Sequence, residues 1–267
     1  MYKFPYKERD YAETILKNGF TSNYINHELK LLVKYYKELG KKPKERKELL
    51  HEFCEKRLLK YSRVTHFKMI NSVLAHGTKK ENVLVQIDKI DVTKNEFNFI
   101  NNFEIDHTYK KVLFTLLVLD KLSKQHSMIR NGEASEEHYF GGGAKYRELS
   151  STSHVKFKKN QNIHSLIGEL ANHGLVGIKN KGFIKLSFIY SIEETDEIEL
   201  SVNDFQRIGL YFDLHTGQEK IKKCGCCEVP IRIKSNRTKY CEECSMKIER
   251  ENIRQRVSKH RESKNLI

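Results

Sequence analysis

The sequence lacks any apolar stretch long enough to cross a membrane, and it contains only 3 prolines in 267 residues. The longest apolar run is VLFTLLVL, from Val112 to Leu119, whereas a spanning helix needs about 20 residues. The opening residues, MYKFPYKERDY, have no apolar core after their first charges, so we expect no secretory signal peptide. These absences predict a soluble cytoplasmic protein without a membrane partner.

Recognisable catalytic motifs are also missing. The sequence contains no nucleophile elbow, no Walker A loop, no dinucleotide-binding fingerprint and no convergent set of carboxylates. Asp106-His107 matches the opening dipeptide of HNH nucleases, but that motif needs a downstream Asn and His on a ββ-helix unit. Here the dipeptide leads directly into an apolar helix, and the paired cysteines lie more than 110 residues away. We therefore expect a protein that is not an enzyme.

Positive charge is concentrated near the C-terminus. The formal net charge is +14, and residues 221–267 hold 13 Lys and Arg against 6 Asp and Glu. The other 220 residues hold 36 against 29, so the surplus per residue is several times smaller there. Such asymmetry favours a polyanionic partner, usually nucleic acid. The alternative is a solvated basic tail that only aids solubility.

The scarcity of proline and the apolar periodicities predict a mainly α protein with a small β component (α+β). Residues 1–107 are predicted to form a helical N-terminal domain. Within residues 21–40, apolar side chains recur at helical spacing and predict one buried face: Ile25, Leu29, Leu32, Val33 and Tyr36. Thr93 and Glu96 form a capping-box pattern that predicts the start of a later helix.

Residues 108–220 predict a second domain with a characteristic order of elements. An apolar helix over 109–125 is followed by two shorter helices, the second ending at Gly174. Strand, turn and strand then follow, with Asn180-Lys181-Gly182 at the turn, and EIELSV is a possible third strand. This order resembles winged helix-turn-helix domains. The alternative is a helix–hairpin domain used for protein contacts or dimerisation.

The winged-helix resemblance implies that the third helix enters a major groove of DNA. The residues that would then face DNA bases or phosphates are Asn162, His164, Ser165, Lys158, Lys159 and Lys181. Glu169, which lies near the same face, fits phosphate contact poorly.

Five of the six cysteines lie in the stretch CGCCEVPIRIKSNRTKYCEEC, residues 224–244. Four thiolates in two C-x2-C pairs are typical of structural zinc sites. Cys241 and Cys244 form one pair. In the other pair, Cys224 with Cys227 has the usual spacing, whereas Cys226 would make a tighter chelate, so Cys226 is predicted to be a bystander.

The resulting C-x2-C-x13-C-x2-C pattern resembles zinc ribbons or treble-clef-like knuckles. PIRIK, SNR and TKY between the pairs predict strand, turn and strand. A site with four thiolates leaves no open position for water, so one structural zinc ion is expected, and it would replace the core that such a small module lacks. Residues 221–267 are thus predicted to form a zinc ribbon with a basic C-terminal helix.

The helix predicted after the second cysteine pair carries a basic face. At 100° per residue, four cations fall within about 60° of one another: Lys247, Arg250, Arg254 and Arg261. Met246, Ile253 and Val257 form an apolar stripe beside them, and Arg237 at the ribbon turn is a further candidate contact. The alternative is a solvated helix whose charges pair with its own glutamates. A knuckle with a trailing basic helix resembles the C-terminal tails of small proteins of phages and mobile elements in low-GC Gram-positive bacteria.

Together these patterns predict a non-enzymatic, DNA-binding protein that acts as a regulator or replication-type factor of a phage or mobile element. Its expected partner is double-stranded DNA. Two alternatives remain open. The first is an inhibitor or adaptor that binds a host nucleic-acid machine, such as RNA polymerase or a nuclease-based defence complex. The second is an RNA-binding protein, since zinc knuckles also serve RNA.

Overall fold

The computed structural model describes residues 6–141, 145–218 and 220–264, with side chains up to residue 258. The chain divides into two compact units. The first consists of Met1–Asp88 with Lys121–Glu137, and the second of Lys89–Asp120 with His138–Ile267. The cysteine-rich tail belongs to the second unit. No helix in the described ranges is long and apolar enough to cross a membrane.

The protein is mainly α-helical with a small β component, as the sequence predicts. The described helices are α1 Glu8–Asn18, α2 Ile25–Glu38, α3 Pro43–Arg57, α4 Phe67–Thr78, α5 Lys94–Asn102, α6 His107–Asn131, α7 Lys145–Ser153, α8 Ile163–Asn172, α9 Ile208–His215 and α10 Glu242–Lys264. The described strands are β1 Ile90–Thr93, β2 Tyr139–Gly141, β3 Gly177–Ile178, β4 Phe183–Lys185, β5 Ile198–Val202, β6 Ile221–Lys223 and β7 Pro230–Arg232.

The first unit is built on the apolar face of α2. Leu29, Leu32 and Val33 are fully buried there and Tyr36 nearly so, which confirms the face predicted from the periodicity. Side chains from α1, α3 and α4 complete the same core, among them Ile15, Leu50 and Ile70. α1 itself was not predicted.

The second unit is centred on the first half of α6. Every residue from Lys111 to Asp120 is buried, which confirms that this helix is surrounded by protein. The predicted capping box also forms: the Thr93 N–H donates to Glu96 at 2.8 Å, and the Glu96 N–H donates to Thr93 Oγ1 at 3.4 Å. Burial on all sides explains why the apolar pattern of α6 has no polar face.

The small sheet of the second unit differs from the prediction in its third strand. The predicted hairpin forms as β3 and β4, which are antiparallel with Ile178 opposite Ile184. The third member is β2, which pairs with β4 so that the order is β2-β4-β3. EIELSV does form β5, but it pairs with β1, with Ile90 opposite Val202. Its predicted place beside the hairpin is therefore wrong, because β2 occupies that edge of β4.

A close approach of α9 to α7 depends on Gly209. A Cβ atom at this position would lie 1.9 Å from the Ser153 carbonyl oxygen and 2.7 Å from Lys111 Cε. The backbone oxygen has no rotamer with which to move aside. Any larger residue at Gly209 must therefore push the two helices apart.

We expect Gly209→Ala to lower the free energy of unfolding of the second unit by about 1–3 kcal/mol, the usual cost of overpacking. Gly168→Ala in α8 is the matched control, because no heavy atom lies within 4 Å of its added methyl group. Helix propensity favours that change by up to about 1 kcal/mol. Urea denaturation of both variants checks the prediction, and equal stability of the two would contradict it.

Candidate metal centre and nucleic-acid interface

The first cysteine pair lies at the tip of a hairpin formed by β6 and β7. The strands are antiparallel, with Lys222 opposite Ile231. The Cys224 N–H donates to the Val229 carbonyl at 2.9 Å, and the Glu228 N–H donates back to the Cys224 carbonyl at 3.0 Å. Glu228 takes the left-handed conformation, with φ of 60°, that this tight turn requires. The turn holds Cys224 and Cys227 on one side of the hairpin tip.

This hairpin is not the one that the sequence predicts. β7 was expected to pair with a strand at residues 238–240, but these described residues form no strand. Thr238 instead closes the preceding turn, because its Oγ1 accepts from the N–H groups of Lys234 and Ser235 at 3.2 and 3.0 Å. The Lys239 carbonyl accepts from the Gly225 N–H at 3.0 Å. The segment after the turn therefore packs along the cysteine loop, and β7 pairs with β6.

The second cysteine pair lies at the start of α10. Cys244 is in the first turn of this helix and Cys241 directly precedes it. The Cys241 N–H donates to the Cys224 sulfur at 3.2 Å, and the Cys244 N–H donates to the Cys241 sulfur at 3.4 Å. The positive end of the helix dipole also favours negative charge at this position. The backbone is thus arranged to stabilise thiolates.

The four predicted ligands come together. The sulfur atoms of Cys224, Cys227, Cys241 and Cys244 all lie within 4.8 Å of one another, which is close enough to hold a metal ion. Cys227 is exposed, whereas the other three are buried. Cys226 is exposed and lies outside the group. The geometry and the sequence spacing therefore agree in selecting Cys227 over Cys226.

The charge state of the cluster fits a cation at its centre. Burial alone would raise the pKa of Cys224, but backbone N–H groups of Cys227, Cys241 and Cys226 lower it to about 6. Burial and then the neighbouring thiols raise the pKa of Cys244. One thiolate is stabilised by the backbone, and further thiolates need a positive charge nearby. A divalent metal ion would supply that charge, with all four sulfurs as its ligands.

The cysteine module, residues 221–244, contacts the rest of the second unit through Arg232. Its Nη2 donates to the His154 carbonyl at 2.9 Å, and Lys111 Nζ of α6 donates to the same oxygen at 3.2 Å. Ile231 is buried beside the cysteines. The module therefore has a fixed attachment next to α7, a role for Arg232 that the sequence did not indicate.

α10 presents the predicted basic face to solvent. The side chains of Lys247, Arg250 and Arg254 are exposed, and Arg254 makes only a long 3.9 Å contact with the exposed Glu251. The side chain of Arg261 lies outside the described residues. The predicted apolar stripe is exposed as well, with Met246, Ile253 and Val257 each 40–51% accessible. Arg237 is exposed in the turn at 235–237.

The predicted contacts in the middle of the chain have mixed local roles. Asn162 and Ser165 cap α8 reciprocally: the Ser165 N–H donates to Asn162 Oδ1 at 3.0 Å, and the Asn162 N–H donates to Ser165 Oγ at 3.0 Å. His164 stacks on Tyr146, with ring centroids 4.5 Å apart. Lys158 forms an exposed 3.4 Å pair with Asp106. Exposure leaves all of them within reach of a partner.

Two further predicted lysines lie on loops near α8. Lys159 is exposed three residues before Asn162, the N-cap of α8. Lys181 is exposed at the β3–β4 turn, where it takes the left-handed conformation with φ of 60°. The start of α8 and the loop before it thus carry Lys159, Asn162, His164 and Ser165, and the β3–β4 turn carries Lys181. The cations of α10 form a different face.

Comparison with known proteins gives no further identification. No protein-family model, no curated protein and no solved structure matches this chain.

Proposed function

We propose that this protein binds double-stranded DNA without catalysing a reaction. The observation that carries the proposal is the basic face of α10, which the four-cysteine cluster fixes at its first turn. Lys247, Arg250 and Arg254 follow one side of a long exposed helix, and such a row of cations fits the phosphates of a nucleic acid. The proposed role is that of a regulator or replication-type factor of a phage or mobile element, an origin that rests on the resemblance of the tail alone.

The proposed metal is one structural zinc ion per chain. Four thiolates from two C-x2-C pairs are the donor set that zinc prefers, and they leave no position for a catalytic water. The ion would contribute folding free energy to the small hairpin and to the start of α10. It would take no part in chemistry on a substrate.

A winged-helix domain is proposed for the middle of the chain. Its support is the element order α6, β2, α7, α8, β3, turn, β4 with the sheet order β2-β4-β3. In such a domain α8 would lie in the major groove, with His164 beside the bases and Lys159 near phosphates. Lys181 at the β3–β4 turn would contact an adjacent phosphate. Glu169 is exposed on α8 and would repel phosphate, which argues against a long contact along that helix.

The test measures binding of the full-length protein to duplex DNA by fluorescence anisotropy across a salt series. A triple variant replaces Lys247, Arg250 and Arg254 with Gln. We expect weaker binding, and we expect the slope of log K against log salt to become shallower by about 0.9 for each phosphate that the variant no longer neutralises. Binding by the triple variant that equals the wild type in affinity and slope would contradict the proposed role of α10.

Two controls test whether any loss of DNA binding reflects the position of the removed cations or only the lower net charge of the protein. A variant with Lys41, Lys44 and Lys56 changed to Gln loses the same charge in the first unit, where these lysines are exposed. Arg256→Gln removes one charge on α10 opposite Lys247, since nine residues at 100° place it about 180° away. Both controls should bind DNA nearly as the wild type does. Duplex RNA as a competitor tests the RNA-binding alternative.

A protein partner is the second candidate, and the exposed apolar stripe of α10 favours it. Met246, Ile253 and Val257 lie beside the basic face without a covering element among the described residues. An inhibitor or adaptor of a host nucleic-acid machine would use both surfaces together. Salt-insensitive or absent DNA binding by the wild type, with capture of one stoichiometric protein from nuclease-treated host lysate, would replace the first proposal with this one.

A further inference from the structure

The first unit contains a cavity of about 470 Å³ next to α2. Cavities of roughly 300–1,000 Å³ are the usual size for small-molecule sites. No sequence motif marks this region. Its lining residues come from α1, the α1–α2 loop, α2, α4, the loop after α4 and the second half of α6, all within the first unit.

Two buried carboxylates form part of the cavity wall, and both are held by internal donors. Glu28 is 1% exposed and accepts from the Tyr11 hydroxyl at 2.7 Å and from the Thr21 N–H at 3.0 Å. Both oxygens of Glu8 lie 2.7 Å from Lys34 Nζ, and one also accepts from the Val85 N–H at 2.9 Å. These contacts fix the wall and neutralise Glu8 within the protein.

The remaining charged groups at the cavity are cations. Lys30 and Arg130 line it, and neither has an ion pair or hydrogen bond within the part of the chain that the structure describes. His27 and His76 line it too. The ammonium of Lys30 and the guanidinium of Arg130 therefore offer several N–H donors that have no acceptor among the described residues.

His76 lines the same cavity as Lys30 and Arg130, and its pKa responds to their charges. Burial lowers the pKa of His76, and Lys30, Lys34, Lys79 and Arg130 lower it further. Lys30 and Arg130, which line the cavity, are thus two of the charges that oppose the protonation of this imidazole. An anion bound among them would relieve this repulsion.

The cavity also offers an aromatic surface at its rim. Tyr24 lines it and is 63% exposed, so much of this residue is accessible to a planar partner. Aromatic rings of this kind stack on nucleobases with little preference for the base. A bare phosphate would leave most of the volume and this ring unused.

We propose that this cavity binds a small phosphorylated molecule of nucleotide size, with its phosphate on Lys30 and Arg130 and its base or other planar group on Tyr24. Its lining residues all belong to the first unit and none of them is among the proposed DNA-contacting residues, so the proposal does not rest on DNA binding. The chemistry specifies a phosphate monoester with a planar ring, whichever nucleoside carries it.

Isothermal titration calorimetry of the full-length protein tests this with AMP and GMP as probes, and with adenosine and inorganic phosphate as partial ligands. We expect one nucleotide per chain, at least tenfold weaker binding of adenosine, and competition by inorganic phosphate. Lys30→Gln and Arg130→Gln should each weaken nucleotide binding at least tenfold. Lys44→Gln, which removes an exposed charge elsewhere in the unit, should leave it unchanged. Circular dichroism verifies that all three variants are folded.

Three results would overturn the proposal. The first is no measurable heat for either nucleotide at millimolar concentration. The second is binding that survives both Lys30→Gln and Arg130→Gln. The third is nucleotide binding that disappears in the α10 triple variant instead, because it would then report contact with the basic helix. If the wild type binds nucleotide but not DNA, the proposed DNA-binding function is wrong and the proposed nucleotide site still stands.

Discussion

Cys227→Ser is expected to abolish metal binding at the proposed zinc site of the full-length protein, whereas Cys226→Ser is expected to preserve it. Both side chains are exposed and lie next to each other in the chain, so the two variants differ mainly in whether a ligand is removed. The Cys227 sulfur belongs to the four-sulfur cluster, 3.7 Å from that of Cys241. The Cys226 sulfur does not. Structural zinc contributes about 10–16 kcal/mol of apparent binding free energy in small modules, so losing one of four ligands should unfold this one.

The measurement is the metal content of each purified variant by plasma mass spectrometry, together with hydrogen exchange of the backbone amides. Wild type and Cys226→Ser should carry one zinc per chain, and Cys227→Ser far less. Exchange in Cys227→Ser should rise at β6, β7 and the first turns of α10, and should stay unchanged in α2 of the first unit. Equal metal loss in the two variants, or a wild type without metal, would contradict the proposed site.

Loss of the metal should also weaken DNA binding, if the basic face of α10 is what contacts DNA. The first turn of α10 contains Cys244, so an unfolded cluster no longer fixes the direction in which Lys247 and Arg250 point. Unfolding of the hairpin should also break the contact of Arg232 with the His154 carbonyl. A chelator should therefore lower the affinity for DNA, as the α10 triple variant does. Treating the triple variant with the chelator should lower the affinity little further than either change alone.

The helices with strong apolar periodicity were predictable because burial on one side imposes the pattern. α2 and the first half of α6 are examples, as one has a single buried face and the other is buried all round. The paired cysteines were predictable for a different reason, since metal coordination imposes its spacing locally. Each of these signals is complete within about 20 residues of sequence.

The missed features depend on distant parts of the chain. β2 has only three residues, too few for an alternating pattern, and it forms a strand because β4 lies beside it. Residues 238–240 resemble a strand in sequence, but Thr238 closes the preceding turn and β7 pairs with β6 instead. The cavity of the first unit combines Lys30 with Arg130, which are 100 residues apart. Only the folded chain brings such groups together.

Asp213→Ala should destabilise the second unit by about 3–5 kcal/mol, because it leaves the buried ammonium of Lys111 without its partner. Lys111 and Asp213 are 5% and 6% exposed and form a direct ion pair between α6 and α9. His107 Nε2 lies 2.8 Å from the other carboxylate oxygen. Glu197→Ala is the control, since it removes an exposed partner that lies 2.8 Å from Lys94 Nζ, and it should change stability little.

The pH dependence of the Asp213→Ala variant distinguishes a buried charge from a simple packing defect. Burial alone would raise the pKa of Asp213, but hydrogen bonds from His107 and Lys111 lower it. The wild type therefore gains stability from this carboxylate above its unfolded pKa near 4, and loses that gain as the pH falls through the lower folded value.

In Asp213→Ala the pH dependence comes from Lys111 instead and lies at higher pH. Burial already lowers the pKa of Lys111 in the wild type, and removing the carboxylate must lower it further. The folded variant then binds fewer protons than its unfolded state, so its stability rises with pH towards the unfolded lysine value near 10. Urea denaturation between pH 6 and 9 should show the gap to wild type narrowing. The double variant Asp213→Ala with Lys111→Met should recover most of the lost stability at pH 7, because it removes the unpaired charge itself. If the stability difference between Asp213→Ala and wild type is constant with pH and is not reduced by Lys111→Met, poorer packing rather than the buried ammonium causes the destabilisation.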